Sequence, residues 1–173
     1  MNKITGFLFA AFAALTIAGA SPAAAQQPAT ESPADLREIE YGKDIFKTKA
    51  TCQFCHKWDG SGDQGYGGNA LSLRVTELTE EQFIEVVKCG RIGTGMPYHD
   101  KFAYTDKRCF DTTREELGND TPPIANEYLQ PREITAVMKY VFARMKGHGE
   151  KGSYDDCLDF WGKETKQCDQ FKP

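Results

Sequence analysis

Apolar residues recur at steps of three and four between residues 131 and 145, at Ile134, Val137, Met138, Val141, Phe142 and Met145, the spacing of one buried helix face. Pro131 suits the first helical position and Gly147 the stop. Leu36, Ile39 and Phe46 give a second, sparser face behind Ser32 and Pro33, a capping hydroxyl and a first-turn proline. That helix is predicted to run to about residue 50. Thr79-Glu80-Glu81-Gln82 is a capping box ahead of Phe83, Ile84, Val86 and Val87, which predicts a short helix over 80–89 ended by Gly90. Ser153 opens a last short helix over 153–162 through Leu158, Phe160 and Trp161, one that needs a disulfide or a core contact to stay docked.

The stretches between are read as irregular. Glycines at 60, 62, 65, 67 and 68 predict a loop over 57–76 without a regular element. Residues 91–130 show little periodicity beyond a helical turn near 112–117. The pattern predicts an all-α domain over 32–146 with an irregular insertion, followed by a C-terminal extension at 147–173. No internal repeat and no nucleotide-binding glycine fingerprint is found.

The first 25 residues stand apart. Lys3 is their only charge, Gly6–Ala18 is apolar, and Ala23-Ala24-Ala25 fits a signal-peptidase site. The apolar run is shorter than the roughly 20 residues a membrane span needs. A signal peptide at 1–25 is therefore expected, then a mobile leader at 26–31, with a mature protein that lacks a span and resides in the periplasm. Formal charge is −4 for the whole chain and one unit more negative without Lys3. That balance argues against nucleic acid and anionic membranes and favours a partner with a basic patch. Glu115, Glu116, Asp120, Asp155 and Asp156 are the candidate steering charges, with plain solubility as the bland alternative.

Cys52-Gln53-Phe54-Cys55-His56 is a C-x-x-C-H string, the spacing for covalent haem attachment. Two thiols on one tight turn reach both vinyl groups, and the next residue turns its imidazole to the iron. A zinc site would want two further ligands at matching spacing, and a redox CxxC leaves His56 unexplained. Met96, in Gly93-Thr94-Gly95-Met96-Pro97, is the candidate sixth ligand, because it sits on a loop while Met138 and Met145 sit on the periodic helix. His99 and His148 are its competitors, the latter expected to be exposed. The other four cysteines allow three connectivities. Cys89 with Cys109 and Cys157 with Cys168 is the expected set, since each closes a modest loop without crossing the haem-binding core.

These residues carry a resemblance to the class I cytochromes c, from about Arg37 to Arg144. Gly42-Lys43-Asp44-Ile45-Phe46 resembles the helix before the family's attachment site, and Gly90 with Gly95-Met96-Pro97 its methionine arm. The resemblance implies a cytochrome c fold around one covalent haem, with the first and last helices crossing so that Gly42 and Phe46 meet Tyr140. It also implies a carbonyl for the attachment histidine's other ring nitrogen. The family's Gly-Pro-x-Leu turn supplies it, but Gly67-Gly68-Asn69-Ala70-Leu71 lacks the proline, so a carbonyl near Gly68 is expected to serve. The insertion and the tail resemble extensions of bacterial cytochromes that accept electrons from periplasmic quinoprotein dehydrogenases. A terminal oxidase or another cytochrome would then be the acceptor. The rival readings are a haem enzyme or sensor with a displaceable sixth ligand, and a cytochrome subunit of a larger oxidoreductase complex.

Three minor expectations complete the reading. Asp59-Gly60-Ser61-Gly62-Asp63 has the alternating oxygens of a calcium loop, but Ala70 stands where the closing acid belongs, so an ordinary solvated turn is expected. Tyr98, Phe102, Tyr104 and Phe110 are expected in core or haem packing. Trp58 is expected near the haem edge.

Overall fold

The computed structural model describes residues 31–173, so the expected signal peptide and nearly all of the expected leader lie outside the described residues. Glu31, the leader's last residue, is within them and is tied down. Its carboxylate accepts both arms of the Arg144 guanidinium, at 2.9 and 2.8 Å. Order follows in α1 (Pro33–Asp44), where Ser32 Oγ accepts from the Asp35 amide at 3.2 Å. The helix continues through a π-helical turn, Ile45–Lys49, closed by the Ala50 amide on the Ile45 carbonyl at 2.9 Å. Such a turn adds one residue per rotation and re-aims whatever follows it, which here is the cysteine string.

α1 packs against α5 (Pro131–Arg144), and this crossing holds the fold together. Gly42 makes it possible. A Cβ there would lie 1.9 Å from the Ala136 carbonyl oxygen and 2.9 Å from Tyr140 Cβ. One turn on, the Phe46 ring meets Tyr140 edge-on with centroids 5.7 Å apart. Ile39, Ile45, Phe46, Val137, Met138, Val141 and Met145 are all buried in this seam, each contributing about 1.5–3 kcal/mol by burial. α3 (Glu80–Cys89) adds Phe83 and Val87, with its capping box at Thr79 and its stop at Gly90 as predicted.

Residues 57–76 are not wholly irregular. β1 (Asp63–Gly65) and β2 (Gly68–Ala70) pair antiparallel, Asp63 with Ala70, Gln64 with Asn69 and Gly65 with Gly68. The glycines that predict a loop instead allow a two-residue hairpin turn at Tyr66-Gly67, with Gly68 at φ 115°. Neither strand has an alternating apolar face, so hydrophobic period could not reveal them.

The C-terminal extension belongs to the main core. α6 (Tyr154–Trp161) buries Phe160, 3% exposed, against Phe46 at 6.4 Å and Trp58 at 6.1 Å. Trp58 therefore faces the tail, also touching Phe171 at 5.3 Å. The buried Arg74 is the second tie, donating to the carbonyls of Asp59 (2.9 Å), Gly149 (2.8 Å) and His148 and pairing with Asp156 at 3.3 Å. Both expected disulfides are present, Cys89–Cys109 and Cys157–Cys168.

The 59–63 turn is likewise less solvated than predicted. Asp59 is buried, and its carboxylate accepts from the Ser61 amide and hydroxyl and from the Gly152 amide, at 3.1, 2.8 and 3.0 Å. Its oxygens thus fasten the tail. Among the described residues, no cluster of three or more His, Cys, Asp or Glu side chains is gathered to hold a metal ion.

Candidate functional site

The cysteine string forms one helical turn, α2 (Gln53–His56), with the Cys55 and His56 amides donating to the Cys52 carbonyl at 3.2 and 2.9 Å. Non-glycine residues at positive φ stand on both sides, Thr51 at 52° and Lys57 at 61°. Backbone held in that region is costly and persists where surroundings enforce it. Cys52 and Cys55 are outside any disulfide. Desolvation beneath the core pushes the Cys52 thiol up to about 12, so it stays protonated at neutral pH.

His56 is oriented by the chain that returns after β2. Its Nδ1 lies 2.9 Å from the Leu71 carbonyl oxygen, which makes Nδ1 the protonated nitrogen and leaves Nε2 its lone pair. Leu71, and not the neighbourhood of Gly68, provides this carbonyl, because the hairpin lifts Gly68 to a tip with nothing within 4 Å of its Cβ position. The Gly62 amide on the His56 carbonyl (3.1 Å) and the Leu73 amide on the Gly60 carbonyl (2.8 Å) fix the returning strand. Burial holds His56 below the ordinary imidazole range against the opposing Leu71 bond, and the Arg91 charge pushes the same way. The ring is neutral, the state a metal ligand requires.

Met96 sits half-buried on a tight loop beyond α3. The Arg91 amide donates to the Met96 carbonyl at 3.3 Å, and the Met96 amide to Thr94 Oγ1 at 3.2 Å. Arg91 thus belongs to the methionine loop, and its charge also acts on His56. The insertion brackets the loop from outside. Gly93 donates to the Asp120 carbonyl (2.8 Å), Tyr98 to Pro123 (3.0 Å), Ala125 to Tyr98 (3.1 Å) and Leu129 to His99 (2.9 Å). These backbone bonds carry no side-chain signature, so the bracketing was not legible in the sequence.

The competitors to Met96 are placed differently from one another. His99 is buried with Nδ1 3.0 Å from the Glu127 carbonyl oxygen, while His148 is exposed as expected. The four aromatics divide. Tyr98 and Tyr104 are buried around Cys89–Cys109, Tyr104 donating to the Cys89 carbonyl at 2.7 Å, whereas Phe102 and Phe110 are exposed.

A haem is the group the attachment string implies, and the surroundings fit it. The donors are two unpaired thiols and an imidazole with a free Nε2. Leu71, whose carbonyl holds His56, leaves apolar surface uncovered at 65% exposure, and Ile92 on the methionine arm is exposed as well. A flat apolar macrocycle would bury such surface. The hairpin glycines also leave room at the thiol, where a Cβ on Gly67 would stand 2.5 Å from Cys55 Sγ.

Residues 37–117 match the family model described as cytochrome C oxidase, cbb3-type, subunit III. No curated protein and no solved structure gives a significant match. The matched segment runs from α1 through α4 (Arg114–Leu117) and includes both the attachment turn and the methionine loop. Set on a helical fold closed by α1 and α5, that match makes residues 37–117 a c-type cytochrome domain.

Proposed function

We propose that the chain is an exported single-electron carrier in which Cys52 and Cys55 hold one haem covalently and His56 and Met96 are its axial ligands. The observation that carries the reading is the attachment turn itself, two unpaired thiols and an imidazole whose Nδ1 is fixed by Leu71. Bound there, haem supplies a one-electron ferrous–ferric couple. The chain's part is to orient and to exclude. Leu71 sets the His56 ring and raises its basicity, the bracketed loop presents the Met96 sulfur, and the exposed Leu71 and Ile92 offer apolar surface for the macrocycle to cover. A sulfur ligand and a dry crevice both favour the reduced state.

Export is supported by the signal-like first 25 residues and by two disulfides, which persist in oxidising compartments. No helix among the described residues is long and apolar enough to cross a membrane. A periplasmic dehydrogenase of the quinoprotein kind is the proposed donor, and a terminal oxidase or another cytochrome the acceptor. The proposal includes no calcium.

A second reading, a cytochrome subunit of a larger oxidase, is favoured by the description of the matched family. Purification from periplasm under mild conditions separates the two, since a carrier leaves free and a subunit copurifies with its complex. Haem that stays with the chain after denaturation supports attachment at Cys52 and Cys55. Its loss on denaturation overturns the proposal.

A further inference from the structure

We propose that the collar formed by Phe54 and residues 64–70 of the β1–β2 hairpin, a run without a charged side chain and with Tyr66 at its tip, is the docking face for a redox partner whose own contact surface is apolar and uncharged. This rests on the electron-carrier reading above. The hairpin lies directly on the attachment turn. The Gly67 amide donates to the Phe54 carbonyl at 2.9 Å, and a Cβ on Gly65 would come within 2.4 Å of that same oxygen. With Gly67 equally close to Cys55 Sγ, Tyr66 is held beside the thiol that fixes the haem edge. Its side chain is fully exposed, and Phe54 is half exposed next to it.

Charge is sparse at this rim, with the exposed Asp63 standing at the base of the hairpin opposite Ala70. Gln64 to Leu73 contains no charged residue, in a chain of which 27% is Asp, Glu, Lys or Arg. Arg74, which ends the run, is buried and paired. Desolvating residues 64–70 with Phe54 therefore strips water from no ion in that run, and a partner bearing charges there would lose their hydration without compensation. Two of the acidic residues expected to steer a basic partner are already engaged. Glu116 takes Lys107 at 2.9 Å and caps its own helix, and Asp156 caps α6 and pairs with Arg74. Stiffness adds to the case, because a hairpin seated on backbone loses little entropy on contact, and tyrosine offers large area for two rotatable bonds.

The test uses the mature haem-loaded protein with a second copy of itself as partner, since that copy presents the same neutral face. Electron self-exchange, in which one electron leaves a ferrous copy and reduces a ferric one with no bond made or broken, is read from NMR line broadening. Tyr66→Ala should slow it roughly three- to tenfold at fixed ionic strength, and Tyr66→Glu further. Phe110→Ala, which removes an exposed aromatic outside the collar, should leave it unchanged. In the fully ferrous protein, amide shifts that grow with concentration should fall on residues 64–69. Equal rates for wild type and Tyr66→Ala, or shifts centred elsewhere, overturn the docking face. Loss of covalent haem in the wild type would instead overturn the carrier reading, so the two failures are distinguishable.

Discussion

The His56 ring and the Leu71 carbonyl, 2.9 Å apart, join the attachment turn to the strand that leaves the hairpin. Gly62, at φ 71°, guards that bond. A Cβ there would press on the Ala70 oxygen at 2.5 Å and the Leu71 carbonyl carbon at 2.7 Å. Gly62→Val should displace the carbonyl, leave His56 a poorer donor and raise the midpoint potential by a few tens of millivolts, where a tenfold change in the couple is about 59 mV. Potentiometry on the haem-loaded variant checks this, and an unmoved potential would show that Leu71 does not tune the ligand.

Met96→Ala should abolish the weak far-red sulfur-to-iron absorption of the ferric protein. The potential should fall by more than the ~59 mV of one tenfold step, with haem still attached. A retained band would remove Met96 from the site. Spectra that show a second imidazole in the variant would identify His99 as the replacement.

Phe160→Ala should cost about 3–5 kcal/mol and lower the thermal midpoint by roughly 10 °C, because the ring fills the seam between Phe46 and Trp58. Circular dichroism measures it. A change within about 0.5 kcal/mol, the surface norm, would return the extension to the periphery.

Acid sensitivity should trace to His99. Burial lowers its pKa from the ordinary 6.5 against the opposing Glu127 carbonyl bond. The folded chain thus refuses a proton that the unfolded chain accepts. The resulting stability is present above about pH 6.5 and is lost as pH falls through the folded value. His99→Asn keeps a donor for Glu127 and does not titrate, so its thermal midpoint should drop less between pH 7 and 5 than that of the wild type. Parallel pH profiles would exclude His99 as the cause.

Helices whose ends are written in local chemistry were legible in the sequence. Ser32-Pro33, Thr79 to Gln82, Pro131 and Ser153 each begin a helix in the structure, because a helix start is set by residues within four positions of it. The attachment string was legible for the same reason. What escaped depends on backbone groups that any residue supplies: the Leu71 carbonyl, the π-helical turn before Cys52 and the bonds from Asp120 and Pro123 to the methionine arm. The depth of Phe160 and Arg74 escaped for another reason. Phe160 reads as part of an apolar helix face whose cover is unspecified, and Arg74 as a surface cation, until distant segments close over both.

The crossing of α1 and α5 also bears on when the protein can assemble. Glu31 meets Arg144 across 113 residues of chain, Glu38 meets Arg132 across 94, and Lys47 reaches Phe160 across 113. Contacts of such sequence separation form late, since closing a long loop costs entropy before any burial offsets it. The cysteine turn lies inside that loop. Until both ends of the chain are free to meet, its thiols stand open to whatever machinery joins them to their cofactor, and closure afterwards seals them in.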